Sequence, residues 1–312
     1  MTRRFAMVFP GQGSQAVGML QDLATADTPV RATFEEASGV AGIDLWRLTR
    51  EGPVEELNRT QNTQPAMLAA GVAVWRSWQA AGGPAPDFMA GHSLGEYTAL
   101  VCGGALDFRD AIALVAERGR LMQAAVPEGQ GAMAAILGLA DDVVRSVCAD
   151  AADDDVVEAV NFNAPGQVVV AGQADAVARA VELAKQAGAK RAVVLPVSVP
   201  SHCVLMKPAA DELASRLAAV EVTAPETPVI HNASAAPEND PAKIRELLAV
   251  QLYSPVRWVE SVQRMQAESV EVLLEAGPGK VLAGLVKRID KSLTGKPVFD
   301  PAGIEAAKEE LL

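Results

Sequence analysis

The sequence predicts an α/β fold in which a small subdomain is inserted into a larger one built on a parallel sheet. Three observations carry this reading. Strand-like apolar runs alternate with helical ones along the chain, a β-α-β-β-α-β rhythm breaks the alternation between Gly131 and Val197, and the longer rhythm then resumes. Phe5 to Phe9 is an apolar run closed by Pro10 and Gly11, and reads as the first strand. Val30 to Val40 repeats apolar residues at helical spacing, and a helix is expected from Pro65 to about Gln79, broken by Gly82-Gly83-Pro84. A short strand at Asp87 to Ala90 leads into GHSLGEYTALVCGG, and a helix from Phe108 to Gln123 stops before Pro127 and Gly129.

Within the insertion, strands are expected at Ala132–Leu137, Val156–Val160, Gln167–Ala171 and Arg191–Val197, with helices at Asp141–Ala151 and Ala174–Ala187. This is the split βαβ, or ferredoxin-like, order. It assigns residues 129–197 to the insertion, and 1–128 with 198–312 to the larger subdomain. A helix at Lys207–Val220, strands at Pro228–Ile230 and Val270–Leu274, and a helix after Gly277-Pro278-Gly279-Lys280 complete the larger part.

The chain has 312 residues, with 27 Lys and Arg against 39 Asp and Glu, a net charge of −12 that disfavours binding through phosphates. Aromatic content of 4% leaves few rings for stacking bases, so no nucleic acid partner is expected. Cys102, Cys148 and Cys203 form no C-x-x-C pair, which suggests neither a disulfide framework nor a zinc site and fits a reducing compartment. Phe5 to Phe9 is too short for a signal-peptide core. Pro65 to Trp75 spans 11 residues, short of the ~20 that cross a bilayer, so no membrane association and a cytoplasmic location are expected.

The strongest chemical motif is Gly91-His92-Ser93-Leu94-Gly95, a G-x-S-x-G between a strand and a helix. Such a turn projects the serine hydroxyl away from the sheet, and the Leu94 N–H at the helix N-terminus can stabilise an oxyanion. An alternative is that Ser93 only caps the helix. A serine nucleophile needs a base, and the chain has three histidines. His92 is adjacent on the elbow and should diverge from the hydroxyl; His231 follows a strand without supporting neighbours; His202 sits on a loop after a strand, where α/β sheets bind ligands, and is the candidate base.

Gly11-Gln12-Gly13-Ser14-Gln15-Ala16 matches the dinucleotide pattern G-x-G-x-x-G/A, with Glu35 and Glu36 at the distance of the ribose-binding acid. That acid should end a second strand, whereas Val30, Phe34 and Ala37 recur at helical spacing. The loop can instead present a second N–H to the oxyanion. Gly277-Pro278-Gly279-Lys280 lacks the remaining residues of a phosphate loop. Arg118 and Arg120 share one helix, and spacing alone does not separate them.

Together, FPGQGSQ at 9–15, GHSLGEY at 91–97, ERGRLMQ at 117–123, PSHC at 200–203 and EAGPGKVLAGL at 275–285 resemble the malonyl-CoA:acyl carrier protein transacylases, in order and over nearly the whole chain. The resemblance implies an α/β-hydrolase-like larger subdomain and a ping-pong transfer of malonyl from malonyl-CoA to the phosphopantetheine thiol of acyl carrier protein, with no metal or redox cofactor, in a monomer. By position it implies that Ser93 is acylated, His202 is its base and Arg118 holds the malonyl carboxylate. The Gln12 and Leu94 N–H groups form the oxyanion hole, the Gln251 backbone carbonyl orients the histidine, and no triad carboxylate is expected. Acyl carrier proteins are acidic, so docking calls for a local basic patch; Lys190, Arg191, Lys280, Lys287 and Arg288 are its candidates. The rival functions are a serine thioesterase or esterase on the same elbow, and a non-catalytic carrier-protein docking module.

Overall fold

A computed structural model of the chain describes residues 3–26, 29–197 and 199–312. Among these, nine strands form: β1 (Phe5–Phe9), β2 (Phe88–Gly91), β3 (Gly131–Leu137), β4 (Val157–Ala164), β5 (Gln167–Gln173), β6 (Arg191–Val194), β7 (Val229–Ile230), β8 (Val272–Ala276) and β9 (Thr294–Val298). The larger sheet runs β7-β2-β1-β8-β9, and all its pairs are parallel. A parallel sheet covered on both faces needs strands that are apolar throughout. In β1, Phe5, Met7 and Phe9 join the core with Met67, Ala70 and Val115. Ala6 and Val8 point the other way, to Trp258, Val262 and Val286.

The smaller sheet is antiparallel in the order β4-β5-β3-β6. Its Ala134, Ile136, Val168 and Val170 pack under the helices Asp141–Ala152 and Ala174–Gln186. Period-two alternation turns Met133, Val169 and Ala171 to the opposite face, against Cys203 of the larger part. Met133 of that face lines one pocket with His92 and Ser93 at the end of β2. The proposed boundary residue Ser198 lies outside the described residues. Among the described residues no helix is long and apolar enough to cross a membrane.

Several elements differ from the sequence expectation. The helix expected from Pro65 begins at Thr60, with Pro65 inside it. Its first turn is tied from outside, since Thr63 Oγ1 donates to the carbonyls of Leu57 and Arg59. The strand expected at Val156–Val160 continues to Ala164, because register shifts at Ala159/Asn161 and Phe162/Ala164 interrupt the alternation that marks a strand. The strand expected to Val197 ends at Val194; Pro196 has no N–H for a further rung. The expected Val270–Leu274 strand is observed at Val272–Ala276, and the helix after His202 ends at Leu217 rather than Val220. Strand β9 had no counterpart in the reading: Gly295 and Pro297 mask it, and only an edge position beside β8 tolerates them.

Candidate active site

Strand β2 ends at Gly91 and the helix Gly95–Cys102 begins four residues on, leaving Ser93 with φ 52°. Side chains are excluded on either side of the turn. A Cβ on Gly91 would lie 1.8 Å from the Gly95 carbonyl carbon, and one on Gly95 would lie 2.1 Å from the Phe9 carbonyl oxygen. Left-handed backbone at a serine is strained and must be held by its surroundings. Asn232, just after β7, holds it: Oδ1 accepts the Ser93 N–H at 2.7 Å while Nδ2 donates to the Gly91 carbonyl at 2.7 Å. No side chain caps this helix, so the capping reading of Ser93 fails. Its hydroxyl lies 2.7 Å from His202 Nε2.

His202 is also left-handed, with φ 69°, and its N–H donates to the Leu252 carbonyl at 2.9 Å. Nδ1 lies 2.8 Å from the Gln251 carbonyl oxygen, which can only accept. Nδ1 therefore carries the proton, and Nε2 presents a lone pair to Ser93. Burial, then the Arg118 charge, lower the imidazole to about 3 against the opposing Gln251 hydrogen bond. The ring is neutral at physiological pH. His92 turns aside to Asn163 Oδ1 at 2.8 Å. His231 is fully buried beneath the elbow, its Nδ1 2.8 Å from Glu96 Oε1, and does not reach Ser93.

Arg118 and Arg120 part company on the helix Phe108–Ala125. A Cβ on Gly119 would meet the Thr60 carbonyl oxygen and Gln61 Cα at 2.8 Å, so this helix lies close against Thr60–Ala80. Arg118 enters the interior there, at 1% exposure, whereas Arg120, two positions on, is exposed and paired with Glu117 at 2.7 Å. The Arg118 terminal nitrogen donates to Gln251 Oε1 at 2.9 Å and lies 3.4 Å from Ser93 Oγ; Nε has no partner. Burial draws this guanidinium below its ordinary range, opposed by Tyr97 and Glu96. Such a group is a built receptor for an anion.

The loop after β1 packs on the elbow, where a Cβ on Gly11 would lie 2.4 Å from the His92 carbonyl oxygen. Gln12 and Leu94 line one pocket of about 470 Å³ with Ser93, Arg118, Asn161 and His202. Neither of their backbone N–H groups has a hydrogen-bond acceptor among the described residues. The dinucleotide alternative fails, because Glu35 and Glu36 lie on the helix Val30–Ala41 and Glu36 pairs with Arg76 at 2.9 Å. The Gly277 turn packs on Pro10 ahead of the helix Val281–Ile289.

Residues 6–304 match the acyl transferase domain family. Over 306 residues the chain is 57% identical to the malonyl CoA-acyl carrier protein transacylase of Escherichia coli (strain K12), covering 98% of this chain and 99% of that one. This chain belongs to the acyl transferase family, in its malonyl-CoA:acyl carrier protein transacylase branch. An acyl carrier protein S-malonyltransferase from Vibrio cholerae matches with a TM-score of 0.95 at 62% identity, over 97% of this chain and 99% of that one. A malonyl-transacylase in complex with a holo type II PKS acyl-carrier protein matches at 0.97 and 56%, over 98% and 99%.

In this acyl transferase the sequence missed Glu96, Asn163 and Asn232. Glu96 stands in the GHSLGEY segment itself, and the one available signal was that it is the single charged residue in the run GEYTALVC. Of the basic candidates, Lys190 and Arg288 line one cleft together, with Asp141 and Asp142 on its wall.

Proposed function

We propose that the chain transfers the malonyl group from malonyl-CoA to the phosphopantetheine thiol of acyl carrier protein through a malonyl ester on Ser93. The observation that carries the reading is the convergence on one hydroxyl of a neutral imidazole at 2.7 Å and a buried guanidinium at 3.4 Å. Ser93 Oγ attacks the thioester carbonyl while His202 Nε2 takes its proton. The tetrahedral oxyanion lies between the N–H groups of Gln12 and Leu94. Its collapse breaks the C–S bond, and the proton on Nε2 passes to the CoA sulfur. The carrier thiol then gives its proton to His202, attacks the ester carbonyl and releases Ser93 Oγ, which recovers the proton.

Arg118 grips the cargo's free carboxylate, selecting malonyl over acetyl. Burial, and after it the Arg118 charge, depress His202, and the same pairing offsets that charge, so the cargo itself strengthens the base. The Gln251 carbonyl replaces a triad acid, which suits a base that need only hold one tautomer. The reaction uses no resident metal or redox cofactor, and the protein acts as a cytoplasmic monomer.

The test is incubation with malonyl-CoA and either apo- or holo-carrier protein, following the carrier by intact mass. Malonylation of the holo form alone is expected. Malonate release at one rate with either form would assign a hydrolase, and absence of any Ser93 adduct would leave only docking.

A further inference from the structure

The buried guanidinium of Arg118 raises a question of charge balance. A cation at 1% exposure with no direct carboxylate is costly, yet a carboxylate placed against it would compete with the cargo. The chain resolves this with an amide. Gln251 Oε1 accepts from Arg118 at 2.9 Å, and Gln251 Nε2 donates to Glu96 Oε2 at 2.8 Å. Glu96 is fully buried. Its Oε2 also accepts the Asn232 N–H at 2.9 Å, and its Oε1 lies 2.8 Å from His231 Nδ1, which donates when the ring proton sits on that nitrogen.

The same groups hold the elbow. Gln251 Nε2 reaches the Ser93 carbonyl at 3.0 Å, and Asn232, whose N–H rests on Glu96, clamps Gly91 and Ser93. None of these three side chains needs to touch the acyl group. They fix what does.

We propose that Glu96 is a positioning residue, the countercharge of Arg118 held one amide away. At that distance it keeps the guanidinium buried and aimed at Ser93 Oγ while leaving its fork free for the cargo's carboxylate. Gln251 is the spacer that prevents a direct ion pair, and Asn232 transmits the same carboxylate to the strained serine. This inference rests on the proposed malonyl transfer.

Single-turnover acylation, read by intact mass with malonyl-CoA and with acetyl-CoA, tests it in Gln251→Glu and Glu96→Gln. Gln251→Glu places a carboxylate on the guanidinium. Its malonylation rate should fall at least about 100-fold and its acetylation rate less than about tenfold, whereas equal losses would overturn the spacer role. Glu96→Gln keeps the packing and removes the charge, and its amide nitrogen opposes a donor. At full adduct stoichiometry, which counts the folded chains, both rates should fall at least about tenfold, and Glu96→Asp should recover part of the loss. Wild-type rates in Glu96→Gln would overturn the proposal, as would a loss confined to stoichiometry. Should Gln251→Glu not fold, the Glu96 pair decides. Failure of the unaltered protein to take malonyl from CoA would instead reject the transfer reading itself.

Discussion

The backbone carbonyl of Gln251 accepts the Nδ1 proton of His202 at 2.8 Å, in the place where serine hydrolases set a carboxylate. A carbonyl fixes the tautomer without adding negative charge, and its residue's side chain simultaneously ties Arg118 to Glu96. The proposed base and the proposed cargo-binding cation thus hang on one residue.

His202→Ala should slow acylation of Ser93 by about 10²–10⁴-fold, since the hydroxyl loses its base. His231→Ala should keep the acylation rate within about tenfold and lower stability instead, because it removes one of the three hydrogen-bond partners of the buried Glu96. Rapid-quench intact mass, with a denaturant titration beside it, separates the two. The reverse pattern would move the base to His231.

Arg118→Ala should lower kcat/KM for malonyl-CoA by at least about 30-fold, the cost of truncating one partner of a buried charge pair. Acetyl transfer should persist or rise, as an unpaired guanidinium no longer opposes a neutral group. Competition between the two thioesters reads the ratio directly, and equal losses would make Arg118 structural.

The pH dependence follows from the His202 imidazole, held at about 3 by burial first and the Arg118 charge second. Unfolded, the same ring takes up its proton near 6.5. Between these values the unfolded chain binds more protons, so this residue makes stability rise with pH from about 3 to 6.5 and adds no slope above. The difference in denaturant stability between the protein and His202→Gln, followed from pH 7 to pH 4, isolates the effect. In Arg118→Ala the protonation of His202, followed by NMR, should move upward, because the second cause is gone. A titration of the unaltered ring near 6.5 would contradict this account of the base.

Gly91→Ala should destabilise by at least about 3 kcal/mol or prevent folding, since its Cβ would fall 1.8 Å from Gly95 backbone, which cannot yield. Gly39→Ala is the contrast: it lies exposed in the helix Val30–Ala41 with open space around it, and should stabilise by about 0.5–1 kcal/mol. Urea midpoints test both.

How much of the site was legible depended on whether backbone or side chain carries the information. The elbow was legible because its glycines are demanded locally, by the close approach of Gly91 to Gly95. Glu96 and Asn232 were not, since their task arises only where β7 lies beside β2, pairing Met89 with Val229. Strand β9 escaped for a similar reason, its stability coming from β8 rather than from its own composition.

By itself the sequence determined the α/β alternation, the split βαβ insertion and the serine elbow, because hydrophobic period and glycine sterics act over a few residues. Spacing alone did not separate Arg118 from Arg120. Only the tertiary structure shows why Arg118 is buried beside Ser93 while Arg120 is exposed, and why His202, the base expected from its loop, meets Ser93 while His231 does not. Which of two equivalent side chains faces a cleft depends on what packs against its helix or loop, here Gly119 against Thr60 and the Leu252 carbonyl under His202. Those contacts join residues tens of positions apart, and no local pattern encodes them.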